Sequence, residues 1–215
     1  MKRKILALSA VLALMAGAAH AQNKTTFGVR AGVNFQNING KDVNGEKLDD
    51  NKIKTGFNVG VNAEIPLAQD FFVQPGVLFT TKGTKIDNGS DTKVNISYIE
   101  VPINFLYKAD LGDGKLLMGV GPYVAFGIGG KVKSKLGDHD IEFEKEAAGL
   151  ANLYTVKRLD AGGNLLFGYE FNNKFSAQLN AQLGLVNIAP DVKGATSQKQ
   201  KGHNTGFGVS VGYRF

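Results

Sequence analysis

The sequence holds no cysteine and no tryptophan among its 215 residues. The missing thiols exclude a disulfide framework, a thiolate metal site and a cysteine nucleophile. Charge is scarce too: charged residues make up 20% of the chain and hydrophobic residues 43%, a balance that argues against wholesale disorder. Beyond the N-terminus no window offers 18 consecutive apolar residues, so no helical membrane span is expected there. Glycine, by contrast, is abundant at 28 residues, roughly twice ordinary usage.

Lys2, Arg3 and Lys4 precede a mostly apolar run from Ile5 to Ala19, and Ala19-His20-Ala21 matches a small-x-small cleavage pattern. This reads as a secretory signal peptide over residues 1–21, cleaved to leave an exported domain over residues 22–215. The run is short for a spanning helix, which needs about 20 residues. Losing three basic residues with the leader leaves 22 basic against 19 acidic residues, a net charge of +3. The basic balance belongs partly to the leader, and no nucleic-acid partner is expected.

The rest of the chain alternates. Apolar residues occupy every second position over Phe27–Phe35, Phe57–Leu67, Phe71–Thr81, Ile99–Tyr107, Leu116–Ile128, Leu159–Phe171, Phe175–Leu185 and Thr205–Phe215. Period two with one apolar face predicts eight β-strands. The apolar parity holds 48 positions without one charge, where the overall composition would place about 10. The opposite parity holds Arg30, Glu64, Glu100, Asp160, Glu170 and Arg214. A soluble barrel with an apolar core and a transmembrane barrel with an apolar outer wall both fit this pattern.

Other signals choose between them. The predicted connections alternate between short (Ala68–Asp70, Ala109–Gly114, Asn172–Lys174) and long (residues 36–55, 82–93, 129–155 and 186–204). A bacterial barrel with short periplasmic turns and long external loops has this asymmetry. The polar parity is dominated by Gly, Asn, Gln and Ser, which suit a crowded eight-stranded interior better than a water-facing surface. Phe27, Phe71, Tyr107, Phe171, Phe175, Tyr213 and Phe215 fall at the short-turn ends, and Phe35, Phe57, Phe79, Phe126 and Phe207 toward the long-loop ends. These positions suit two interfacial girdles. The final stretch Thr205–Phe215, with Tyr213 and Phe215 on the apolar parity, resembles the C-terminal signal read by the barrel-insertion machinery. The expected fold is therefore all-β: an eight-stranded antiparallel up-and-down transmembrane β-barrel over residues 26–215, bathed in outer-membrane lipid of a Gram-negative bacterium.

Two features sit awkwardly in a closed sheet. Pro66, Pro75, Pro102 and Pro122 lie inside predicted strands, so bulges or broken ladders are expected at Pro102 and Pro122. The apolar parity slips between Val94, Ile96, Tyr98 and the following Ile99, which predicts a bulge at Tyr98–Ile99.

The segments Gly28–Phe35 (GVRAGVNF), Tyr98–Ile103 (YIEVPI), Gly121–Gly127 (GPYVAFG) and Gly208–Phe215 (GVSVGYRF) resemble the outer-membrane β-barrel domain common in Bacteroidota, the porin-family or PorT-like group. The resemblance implies an outer-membrane barrel and, for PorT-like members, a link to protein secretion. It implies no catalytic residue.

No catalytic, cofactor or metal site is expected. His139, in Asp138-His139-Asp140, reads as a solvated loop triplet. His203 has no carboxylate placed to orient it; Ser197 is a loop residue and Ser210 has lumen parity, which disfavours a lipid-directed hydrolase. The segment Asp87-Asn88-Gly89-Ser90-Asp91 lacks the later Gly and Glu of a calcium loop, with Thr92 and Tyr98 in their places. The six lumen-parity charges are expected to pair with one another, with Glu64, Glu170 and Asp160 as partners for Arg30 and Arg214, because unpaired buried charge is costly. Lys131, Lys133 and Lys135, followed by Asp140, Glu142 and Glu144, predict a hairpin turning at Gly137–Asp138 with opposite charges across it. The function expected is a non-enzymatic outer-membrane protein, structural or meeting a surface ligand through residues 36–55, 82–93, 129–155 and 186–204. A narrow porin-like channel and a PorT-like secretion component are the alternatives.

Overall fold

The computed structural model describes residues 25–42, 45–87, 91–135, 137–147, 154–192 and 200–215. The leader expected over residues 1–21 lies outside the described residues. Eight long strands make the fold: β1 (Thr26–Lys41), β2 (Lys54–Ala68), β3 (Phe71–Ile86), β4 (Thr92–Leu111), β5 (Gly114–Ser134), β6 (Leu159–Glu170), β7 (Phe175–Gly184) and β8 (Lys201–Arg214). Each pairs antiparallel with its sequence neighbour, and β1 pairs with β8 from Gly28↔Arg214 to Lys41↔Lys201. The ring is closed and leaves no barrel strand without a partner on either side, as lipid requires.

Alternation sets the two faces. On β8 Val211 is 63% exposed, while its neighbour Ser210 is 2% exposed. The outer wall carries Val29, Val61, Leu165, Leu179 and Phe207, all about half exposed, an apolar belt that only lipid could cover at this extent. Aromatic rings gather at both rims. Phe71 meets Phe105 and Tyr107, and Tyr213 meets Phe175 and Phe215, at the short-turn end. Phe35 stacks on Phe207, and Phe57 lies against Phe79, toward the other end.

The short turns each hold one residue in the left-handed region: Asp70 (φ 64°), Gly112 (φ 60°) and Lys174 (φ 68°). Asp tolerates that conformation better than most residues and Gly adopts it freely, so Lys174 is the costly member of the three.

The prolines interrupt ladders without shifting their register. Pairing between β4 and β5 stops at Pro102↔Tyr123 and resumes at Phe105↔Val120. Pairing between β3 and β4 stops at Pro75↔Ile103 and resumes at Leu78↔Glu100. A true bulge follows Pro66 at the turn into β3. Beside the β4–β5 gap the backbones come so close that a Cβ on Gly121 would lie 1.9 Å from the Ile103 carbonyl oxygen.

The structure corrects the sequence reading in three places. First, the strands run well past the apolar spans: β1 reaches Lys41, β3 reaches Ile86, β4 begins at Thr92, β5 reaches Ser134 and β8 begins at Lys201. Much of what reads as loop over residues 36–55, 82–93, 129–155 and 186–204 is barrel wall standing beyond the lipid belt, where outward residues no longer need to be apolar. Second, β4 keeps its parity. Ile96 and Tyr98 point inward like Glu100, all three buried, and Ile99 points out. The slip belongs to β5: the register shifts where Ser97↔Gly129 gives way to Tyr98↔Gly127, leaving Ile128 as the extra residue. Third, the charged hairpin turns two residues early. Ser134 pairs with Gly137, Lys133 with Asp138 and Lys131 with Asp140. Gly137, at φ 133°, supplies a backbone conformation that a side chain disfavours.

Candidate functional site

The interior is filled in layers. Nearest the short turns, Lys108 Nζ lies 2.9 Å from Glu64 Oε2 and 2.8 Å from Glu170 Oε1. Arg214 pairs with the other oxygen of Glu64 and donates to Asn62 Oδ1 at 2.7 Å. Two cations therefore face two carboxylates. Next come Leu106, Leu117 and Leu166, all buried, with Phe72 packed against them. Alongside runs a chain of amides: Asn164 donates to Asn104, Asn104 Nδ2 to Gln74 Oε1 at 3.2 Å, and Gln74 Nε2 to Glu64 Oε1 at 3.2 Å.

Toward the long loops a second charge group closes the lumen. Lys82 Nζ sits 2.8 Å from Glu100 Oε2 and 3.1 Å from Asp160 Oδ2, and no side chain of the three is more than 2% exposed. The ammonium also lies 4.1 Å from the ring centroid of Tyr123 and 5.6 Å from that of Tyr98. Asn204 Nδ2 donates to Asp160 Oδ2 at 3.0 Å, and Gln182 Nε2 to Glu100 Oε1 at 2.6 Å. Burying three ions is expensive, and this geometry offsets the cost by giving each carboxylate both a cation and an amide donor.

Arg30 completes the count. Its guanidinium donates from Nη1 to Asn180 Oδ1 at 3.2 Å, and among the described residues it forms no ion pair. It lines, with Glu100, Asn34 and Asn58, a chamber of about 20 Å³. That is room for a single water. With Arg30, the outer group also holds two cations against two carboxylates. The barrel is therefore charge-balanced at both depths.

The six lumen charges read from the sequence thus fall into separate groups. Glu64, Glu170 and Arg214 share the inner one; Glu100 and Asp160 share the outer one, with Arg30 across the chamber. Asp160 and Arg214 do not meet. Sequence reasoning missed Lys82 and Lys108, the cations that organise each group. Both sit on the lumen parity one residue beyond a predicted strand end, so extending the two-residue period past Thr81 and Tyr107 finds them. His139 stacks on Tyr154, with ring centroids 4.5 Å apart, and among the described residues no cluster of metal-ligating side chains forms.

Above the outer group the mouth is closed by apolar packing. Ile96, Tyr98, Tyr123, Ala125, Val132 and Ile141 form a buried cluster, with Phe143, Tyr154 and Val156 folded onto it from the longest loop. Two parallel pairings hold that loop across the opening: Glu142–Phe143 with Thr155–Val156, and Glu146–Ala147 with Asp191–Val192.

A family model described as the outer membrane protein beta-barrel domain matches residues 20–189. The chain belongs to that family. The protein is accordingly an outer-membrane β-barrel protein of a Gram-negative bacterium. No curated protein matches the sequence. Among solved structures, Ail, the attachment invasion locus protein of Yersinia pestis, crystallised with the heparin analogue sucrose octasulfate, shares 16% identity at a TM-score of 0.44, over 90% of this chain and 100% of that one. Neisserial surface protein A shares 12% identity at a TM-score of 0.48, again over 90% and 100%.

Proposed function

We propose that the protein is a non-enzymatic outer-membrane barrel whose lumen is plugged and whose long-loop end faces outward to meet a surface ligand. The observation that carries this reading is the filled interior. Among the described residues, two charge-balanced groups, a leucine layer and an apolar cluster at the mouth occupy the lumen, which leaves the long-loop end as the surface where a ligand would be met. An eight-stranded barrel has an interior that side chains can fill, in accord with a plug.

Planar-bilayer recording on the purified barrel tests the plug. The expected result is an absence of discrete current steps, in the wild type and in a Glu100→Ala, Arg214→Ala double variant. Reproducible steps in the wild type would replace this reading with a narrow porin-like channel. The resemblance of Gly28–Phe35 and Gly208–Phe215 to the PorT-like group favours a secretion component as the second reading. Deletion that strands exported proteins in the periplasm would establish it.

Biogenesis completes the proposal. Residues 1–21 act as the export leader of the 22–215 domain, and Tyr213 and Phe215 engage the barrel-insertion machinery. The closing role of β8 supports this: Tyr213 pairs with both Val29 and Phe175, and the Phe215 amide donates to the Phe27 carbonyl at 2.8 Å.

A further inference from the structure

Above its lipid belt the outer wall carries an ordered layer of charge. Along the strands, a lysine stands six residues beyond the outer apolar ring at four places: Lys41 beyond Phe35, Lys85 beyond Phe79, Lys93 beyond Ile99 and Lys201 beyond Phe207. Six residues are about 20 Å of strand, or about 15 Å of height at an ordinary barrel tilt. The register sets these lysines against one another. Lys41 lies opposite Lys201, and Lys52, Lys85, Lys93 and Lys133 form a row across neighbouring strands. The row faces outward, since Ile96 and Tyr98 fix the inward parity of β4. Like charges placed directly opposite one another are destabilising. The row is only partly neutralised: Lys85 shares Asp91 with Lys135, and Lys133 lies 4.0 Å from Asp138, while Lys52 and Lys93 form no ion pair among the described residues. One step nearer the membrane, burial and then the Lys93 ammonium hold Lys54 below the usual lysine range.

The acids of these strands lie further out. Asp50 and Asp87 meet just beyond Lys52 and Lys85, where the Asp87 amide donates to the Asp50 carbonyl at 2.9 Å. Asp91 lies beyond Lys93, and Asp42 beyond Lys41. Moving outward, the wall therefore reads apolar, then lysine, then aspartate. A soluble polyanion arriving from outside would meet the carboxylates first. An anion already held at the membrane surface meets the lysines, and the lysine layer is continuous with the wall that lipid covers. A phospholipid headgroup layer is only about 5–8 Å deep, too shallow for the row, whereas a saccharide headgroup reaches it. We propose that this face binds a phosphorylated saccharide lipid of the outer leaflet, with its acyl chains against Phe79, Ile99 and Phe126 and its phosphate groups against Lys85, Lys93 and Lys133. Such a site needs the long-loop end to face outward, as proposed above, and is indifferent to the plug.

The chain has no tryptophan, so a single indole reports its own surroundings. Ser97→Trp places one on β4 between Ile99 and Lys93, and Leu183→Trp places one on the outer face of β7, a strand without lysine. Both full-length barrels, checked for closure by their gel shift on heating, are placed in phosphatidylcholine nanodiscs with rising fractions of a diphosphorylated glycolipid that carries a dansyl acceptor on its headgroup. Energy transfer at Ser97→Trp should be half-complete at a glycolipid fraction at least about fivefold lower than at Leu183→Trp. Lys85→Gln, Lys93→Gln and Lys133→Gln together should erase that preference. Lys93→Gln alone should reduce it by about half, and Lys93→Arg should keep it. A dephosphorylated glycolipid should show none. Equal transfer at the two indoles, or a preference that survives the triple substitution or dephosphorylation, would overturn the proposal. Heparin added to nanodiscs without glycolipid tests the soluble source: no binding that depends on these lysines is expected, and binding abolished by the triple substitution would assign the row to a free polyanion instead. Symmetric nanodiscs present the glycolipid at both ends of the barrel, so a failure here leaves the plug and the outward loops untouched.

Discussion

The two charge groups of the lumen have the same formal composition and different surroundings. The outer group wraps Lys82 in two carboxylates and two tyrosine rings, with Lys82, Glu100 and Asp160 sealed from solvent. The inner group shares its charges more loosely. Glu64 has two cationic partners, and Lys108, Glu170 and Arg214 are 7%, 15% and 11% exposed. The difference teaches that burial and redundancy, rather than the number of ion pairs, decide what a lumen charge contributes. A sealed ion with no substitute partner locks the barrel. A shared ion near the rim can be lost and partly replaced by water.

That contrast can be broken in graded steps. The largest effect is expected from Lys82→Met, which leaves Glu100 and Asp160 buried together without their shared cation. Breaking a buried pair in this way costs about 3–5 kcal/mol. The check is the urea midpoint for loss of the fast-migrating band in lipid vesicles. Neutralising Lys82→Met, Glu100→Gln and Asp160→Asn together should recover part of that loss, because no buried carboxylate is left without its cation and Arg30 alone keeps a charge. Lys108→Met comes next, at about 1–2 kcal/mol, since Arg214 still pairs with Glu64 and Glu170 reaches solvent. A third step lies outside both groups. Lys174→Gly relieves the left-handed residue of the last short turn and should raise the same midpoint, for a gain in stability of up to about 1 kcal/mol.

The smallest effect is local. Asp91 lies 3.5 Å from Lys135 Nζ and 3.6 Å from Lys85 Nζ, and those ammonium groups, Lys135 foremost, hold its carboxyl below the usual range. A lowered carboxyl contributes above its unfolded value and loses that contribution as the pH falls through the folded one. Protease cleavage of the β3–β4 loop should therefore speed up as the wild type is acidified through the carboxylate range. Asp91→Asn should cleave at the faster rate throughout, with no change in global stability.

The barrel was largely legible because its outer wall obeys one rule. Lipid demands an apolar residue at every second position, and Val29, Val61, Leu165 and Val211 meet that demand with no charge intervening. The proline interruptions were legible for a similar reason, since a missing donor must break a ladder wherever it falls. The interior follows no single rule. Leu106, Leu117 and Leu166 sit inside with the amides, and Ile96 and Tyr98 sit inside at the mouth, so apolar identity alone misassigned the face of β4 around Tyr98. Lys82 and Lys108 escaped because strand ends were drawn where outward residues stop being apolar. The strands continue beyond the membrane, where the inward positions keep their meaning and the outward ones do not. A cavity at the mouth is assembled from residues between Ile38 and Gly202 that only the closed ring brings together, and no local pattern marks it.

Among the described residues Lys82 is the one cation that touches both buried carboxylates of the outer group, and one comparison tests its weight directly. Wild type, Lys82→Met and Lys108→Met would be folded into the same lipid vesicles and followed by the gel shift across a urea series. The account predicts that Lys82→Met loses its compact band at far lower urea than Lys108→Met, which stays near the wild type. Equal midpoints for the two variants, or a Lys82→Met barrel as resistant as the wild type, would contradict it.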